Sequence, residues 1–169
     1  MFWTGVNAQK WVPRPTPAPI NACCTGGCLL TVGRVARVHN EFVSVRYAET
    51  DRMGVAHHSS YLLWFELART GLLREAGHSY RDLESNGVRL PVLEYGCKFL
   101  KSADYDDALR IETTVRDVRS RTITFAYTVH RGGELLAEGF THHVCVDDNH
   151  KPRRFPDAVM AALELFHSA

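Results

Sequence analysis

"SSYLLWFELARTGLLREA", residues 59 to 76, is the stretch whose reading decides the fold. Tyr61, Phe65, Ala68, Leu72 and Ala76 recur at helical spacing and mark one stripe. Leu62, Leu63 and Trp64 fill the other sides of the first turns, so the helix is apolar nearly all round there. A helix of that kind is enclosed rather than laid on a surface. Gly77 directly after the last turn suits a C-terminal cap. The enclosing layer has to come from the rest of the chain.

That layer is legible on both sides of the helix. Upstream, "FVSVRY" alternates, with Val43, Val45 and Tyr47 on one face of a strand. Downstream, "SYRDLES" reads as a short second helix stopped by Asn86-Gly87. Four strands follow. Leu93, Tyr95, Cys97 and Phe99 share one face, and Leu109, Ile111, Thr113 and Val115 the next. Ile123, Phe125, Tyr127 and Val129 form a third face, and "ELLAEGFTHHVCV" a long last strand with Gly139 at an expected bulge. Arg131-Gly132-Gly133 is a hairpin signal between the last two. Pro156 and Asp157 open a short C-terminal helix ending near His167. One strand, one enclosed helix and four strands make an α+β chain. A single antiparallel sheet must curl around the helix, since nothing else buries both apolar surfaces.

Composition bounds the function. The 169 residues carry 45% hydrophobic and 23% charged side chains, enough for a core without staples. The net charge of +1 and scattered Lys and Arg argue against nucleic acid or a membrane surface as partners. No apolar run approaches the roughly 18 residues of a membrane span. Five cysteines without regular spacing argue against a disulfide framework and for a reducing compartment. Residues 1 to 33 differ from the rest. They are rich in Pro, Gly and small residues, lack periodicity and read as a flexible extension, with the patterned domain over 34 to 169. They show neither the apolar core of a secretory signal nor the Arg and Ser content of a transit peptide. "CCTGGC" at 23 to 28 has no second half to complete a tetrahedral metal site.

The chemistry gathers in "ETDRMGVAHHSS", residues 49 to 60, at the entrance of the long helix. It reads two ways. A helix start leaves about four backbone N–H groups without partners, and Ser59 or Ser60 can cap one, so the loop can be capping chemistry alone. Alternatively, an N–H left free there, backed by the helix dipole, can stabilise an oxygen that becomes negative. Asp51 stands a few residues upstream, across a turn that Gly54 lets fold back. A carboxylate beside an oxyanion site suffices for acyl transfer from an activated ester. A thioester suits it, because a thiolate leaves without acid assistance. Ser59 and Ser60 lack a GxSxG context and are poor nucleophile candidates.

"RYAETDRMGVAHHSSYLLWFELAR" closely resembles the opening motif of the 4-hydroxybenzoyl-CoA thioesterase family of hotdog-fold proteins, in its YbgC-like branch. The pattern Asp-x-x-Gly-Val-x-x-His-x-x-Tyr, with an acid further along the helix, is matched by Asp51, Gly54, Val55, His58, Tyr61 and Glu66. Similarity continues through "LPVLEYGCKFLKSADYDD" and "TITFAY" to "AEGFTHHVCVDDNHKP", about residues 35 to 155. The resemblance implies a hotdog fold, an antiparallel sheet wrapped around a long central helix. It implies an acyl-CoA thioester hydrolase without cofactor or metal, working as a homodimer or homotetramer in the cytoplasm. Asp51 matches the catalytic carboxylate, as nucleophile or as general base on water. The His58 N–H matches the donor to the thioester carbonyl, and its side chain a histidine that orients water or the carboxylate. Glu66 matches a second, supporting acid. Gly54, Val55 and Tyr61 fall in the substrate-binding part of the motif. Ser60 departs from the branch, which carries Asn there; altered loop geometry is expected.

Arg119 and Arg121, or Lys151, Arg153 and Arg154, are candidate grips for coenzyme A phosphates, with Arg121 the one chosen. An acyl carrier protein conjugate is a second possible substrate. A non-catalytic acyl-CoA-binding module and an acyl dehydratase are the alternatives; the dehydratase's His-Phe-Pro-type signature is missing. His57-His58 and His142-His143 are adjacent pairs pointing to different sides, and "DYDD" lacks a calcium-loop pattern.

Overall fold

A computed structural model describes residues 36–168; the expected extension over residues 1–33, including "CCTGGC", lies outside them. The elements run β1 (His39–Ser44), a 3-10 turn (Tyr47–Glu49), α1 (His58–Glu75), α2 (Tyr80–Ser85), β2 (Val92–Phe99), β3 (Ala108–Val118), β4 (Thr122–Arg131), β5 (Glu134–Val144) and α3 (Asp157–Leu163), which tightens into a 3-10 turn at Glu164–Phe166. The five strands form one sheet in the order β1-β3-β4-β5-β2, with every neighbouring pair antiparallel.

The inner face follows the alternation. Leu109, Ile111, Thr113 and Val115 of β3 and Ile123, Phe125, Tyr127 and Val129 of β4 are all buried. They share a core with Tyr61, Trp64, Phe65, Ala68, Leu72 and Leu73 of α1. Phe65 stacks on Tyr127 with ring centroids 4.3 Å apart. Gly132 and Gly133 form the β4–β5 hairpin turn, Gly132 at φ 59°. Ser79 caps α2 by accepting from the Asp82 N–H, and Gly87 follows it at φ 67°.

The structure corrects four expectations. β1 stops at Ser44, and Tyr47 is exposed in the 3-10 turn, edge-on to Tyr105. Neither Ser59 nor Ser60 caps α1. Its N-cap is His57, whose Nδ1 accepts from the Ser59 N–H, while the buried Ser60 hydroxyl donates to the Glu49 carbonyl. Gly139 sits in register opposite Cys97 and Tyr127, with no bulge. A Cβ there would stand 2.5 Å from the Phe65 ring and 2.9 Å from the Gly96 carbonyl, so the missing side chain lets α1 approach the sheet. Finally, the helix and β2 are not fully enclosed. Leu63 and Leu67 of α1 and Leu93, Tyr95 and Phe99 of β2 are about half exposed or more. Among the described residues β2 is an edge strand that pairs with β5 alone. No described helix is long and apolar enough to cross a membrane.

Candidate active site

The loop between the 3-10 turn and α1 closes on itself. Thr50 and Ala56 form a bridge, the Asp51 N–H donates to the Val55 carbonyl, and the Gly54 N–H to the Asp51 carbonyl. Gly54 takes φ 77°, a left-handed conformation that glycine enters without strain. The Ala56 N–H, donating to the Ala103 carbonyl at 2.8 Å, ties the loop to the segment after β2. The Asp51 Oδ1 accepts the Met53 N–H at 2.7 Å, an Asx turn that orients the carboxylate.

Helix α1 then distributes its first N–H groups unequally. The His57 N–H is taken by the Glu49 carbonyl at 2.7 Å. The Ser59 N–H goes to His57 Nδ1 and the Ser60 N–H to the His57 carbonyl. The N–H between those of His57 and Ser59, on His58, meets no acceptor among the described residues. It is the first residue of an 18-residue helix, where the peptide dipoles leave a partial positive charge.

Asp51 and His58 line one cavity of about 320 Å³. Met53, Val55, Ala56 and Tyr61 complete the near wall, and Phe99, Leu100, Lys101 and Ser102 the far one. Tyr61 stands edge-on to Phe99, with centroids 4.9 Å apart. Burial pushes the Tyr61 hydroxyl pKa up, so it stays protonated. Lys101 is ion-paired with Glu134, which Arg131 also holds. A larger groove of about 390 Å³ lies by the opposite edge strand, β1, along Phe42, Leu109 and Gly132. None of its described lining residues carries a carboxylate.

Of the residues singled out in the sequence, Asp51, Val55, His58 and Tyr61 therefore meet at one cavity, with Gly54 shaping the turn between them. Glu66 does not reach it in a single chain. Its carboxylate is largely exposed, with Arg69 3.7 Å away. Arg121 is exposed beside the β3–β4 turn, next to Thr122, which pairs with Val144. The cavity-lining Phe99 pairs with Ala137 on the same β5 strand. About 3.4 Å per residue puts these two levels of the sheet more than 20 Å apart.

Several participants carry no signal in the sequence. Glu49 is buried although charged. Burial pushes its carboxyl pKa up, but bonds from Arg46 and Trp64 together outweigh this and hold it below the usual carboxylate value. His57 as cap and Lys101 as wall were equally hidden. Nothing in "ETD" or "LKS" distinguishes them from solvated surface. Two further reactive groups are neutral and elsewhere. Burial pushes the Cys97 thiol up to about 12 and the His143 imidazole down to about 4. His143 is locked between the Leu90 carbonyl and Thr141, and its neighbour His142 bonds Thr124. Among the described residues no cluster of His, Cys, Asp or Glu is placed to hold a metal ion.

A sheet packed on one long helix, with Asp51 and His58 lining one cavity at the helix start, has the architecture of a hotdog-fold thioesterase. The thioesterase-like superfamily model matches residues 45–163, and the chain belongs to that superfamily. It is similar to the acyl-CoA thioesterase YbgC of Haemophilus influenzae, 35% identical over 122 residues that make up 71% of this chain and 90% of that protein. Among solved structures it resembles hypothetical protein TT1821 from Thermus thermophilus (TM-score 0.74, 40% identity, 76% of this chain and 99% of that one). It also resembles the DHNA-CoA thioesterase from Staphylococcus aureus (TM-score 0.71, 32% identity, 75% and 91%).

Proposed function

We propose that this protein hydrolyses an acyl-CoA thioester to the free acid and coenzyme A. The observation that carries the reading is that Asp51 and His58, whose N–H has no acceptor among the described residues, line one cavity. The thioester oxygen accepts the His58 N–H, which strengthens as the carbonyl carbon becomes tetrahedral and the oxygen negative. Asp51 either takes a proton from water, which then attacks the carbonyl, or attacks it itself to form an acyl anhydride that water afterwards hydrolyses to the free acid and the Asp51 carboxylate. Collapse of the intermediate breaks the C–S bond and expels the thiolate, the better leaving group. The His58 imidazole, exposed at the rim, orients the water. Val55, Tyr61 and Phe99 offer the acyl group an apolar wall. Glu66 is a supporting acid and Arg121 a phosphate contact only where a second subunit brings them to the cavity.

A second copy is part of the reading. The outer edge of β2 has no partner strand among the described residues, and apolar side chains of β2 and α1 flank it. Such an edge invites pairing, and a two-fold axis there would cover both surfaces. Light scattering is expected to give a dimer or a multiple of it; a fully active monomer would contradict this arrangement. The cytoplasm is the expected compartment, supported by the unpaired Cys97 and Cys145 thiols among the described residues.

The test is thiol release from a panel of aryl-, short-chain and branched acyl-CoAs, with an acyl carrier protein conjugate alongside. At least one acyl-CoA is expected to turn over. Tight coenzyme A binding with no thiol release from any member would favour a binding module instead, and hydration of an enoyl-CoA a dehydratase.

A further inference from the structure

Glu49 receives more hydrogen bonds than a surface acid two residues from Asp51 would need. Its carboxylate is buried and accepts from three donors: the Arg46 N–H at 2.8 Å, the Arg46 guanidinium at 2.7 Å and the Trp64 indole N–H at 3.2 Å. Its main-chain carbonyl accepts from the His57 N–H at 2.7 Å and the Ser60 hydroxyl at 3.0 Å. Trp64 lies in the second turn of α1 and is 1% exposed, whereas the Arg46 side chain is 72% exposed. The ion pair is therefore solvent-screened, and the buried anchor is the indole.

These bonds join the loop to the helix at two levels. The carbonyl grips the first turn and the carboxylate the second. The loop's other main tie, from Ala56 to Ala103, leads to the strand side and not to α1. Burying a carboxylate is costly unless its geometry is used. The Glu49 carbonyl thus holds the N–H of His57, next in the chain to His58, whose own N–H has no acceptor among the described residues.

We propose that Glu49 is a positioning residue, which through Trp64 and the α1 N-terminus sets the place of Asp51 relative to the free His58 N–H. This rests on the hydrolase reading above. Misplacement by about 1 Å at a reacting centre costs on the order of a hundredfold. Glu49→Gln keeps the size but turns one acceptor into a donor, and Trp64→Phe removes the indole N–H. Each is expected to lower kcat ten- to a hundredfold with KM changed less than about threefold. The double variant should be no slower than the slower single one, because both cut the same link. In an Asp51→Asn background, Glu49→Gln should cause no further loss of rate, yet shift the thermal midpoint as it does in the wild type.

A Glu49→Gln kcat within twofold of wild type, while Asp51→Asn is inactive, would overturn the positioning role and leave the hydrolase reading standing. Equal further loss in the Asp51→Asn background would show a folding role only, and also overturn it. Full activity of Asp51→Asn would instead remove the reading on which the proposal rests. If Glu49→Gln is insoluble, the kcat and KM of Trp64→Phe decide by the same limits.

Discussion

Asp51→Asn is expected to fold normally and to lose about 100- to 10,000-fold in kcat, the range that a positioned proton-transfer or nucleophilic group supplies. The fold should survive because the amide oxygen can still accept the Met53 N–H that the carboxylate accepts at 2.7 Å. The loop's other bonds, from the Asp51 N–H to Val55 and from Gly54 back to the Asp51 carbonyl, are main-chain and indifferent to the substitution. What disappears is the negative charge and the proton acceptor. Circular dichroism and thermal unfolding check the first half of the expectation, and thiol release the second. A folded Asp51→Asn variant with wild-type turnover would sink the mechanism.

His58→Pro probes the other half of the site and is expected to cost about 100- to 1,000-fold in kcat beyond His58→Ala, the usual loss when one oxyanion donor is deleted. The substitution removes a backbone N–H at a position that tolerates it. Proline suits the first residue of a helix, where the missing N–H has no intrahelical acceptor. The preceding residue must be extended, and His57 already is, at φ −63° and ψ 139°. The Glu49–His57 and His57–Ser59 bonds use neighbouring groups and can persist. His58→Ala separates out the imidazole, whose loss alone should be milder. If His58→Pro and His58→Ala turn over equally, the carbonyl oxygen is bound elsewhere.

The site was partly legible before the fold. Asp51, Val55, His58 and Tyr61 stand at spacings that a turn followed by a helix brings to one side, and they do line one cavity. The far wall of Phe99, Leu100, Lys101 and Ser102 was not legible, since it arrives from the end of β2, more than thirty residues later. Glu66 and Arg121 match a pattern or a charge requirement. In the chain alone, one points to solvent and the other sits far along the sheet.

Local pattern by itself determined the elements and their inward faces: the α1 stripe, the alternation of β3 and β4, and the Gly132-Gly133 turn. Periodicity and turn chemistry are properties of neighbours in sequence, and burial of a continuous apolar face leaves few arrangements open. Tertiary structure alone decided which polar groups are satisfied and which are left over. His57 rather than a serine caps α1, Gly139 yields to the Phe65 ring, and β2 keeps an edge unpaired among the described residues. Each depends on contacts between residues distant in the chain or on competition among several equally able donors. No spacing rule ranks those competitors, because the winner is set by distances that exist only after packing.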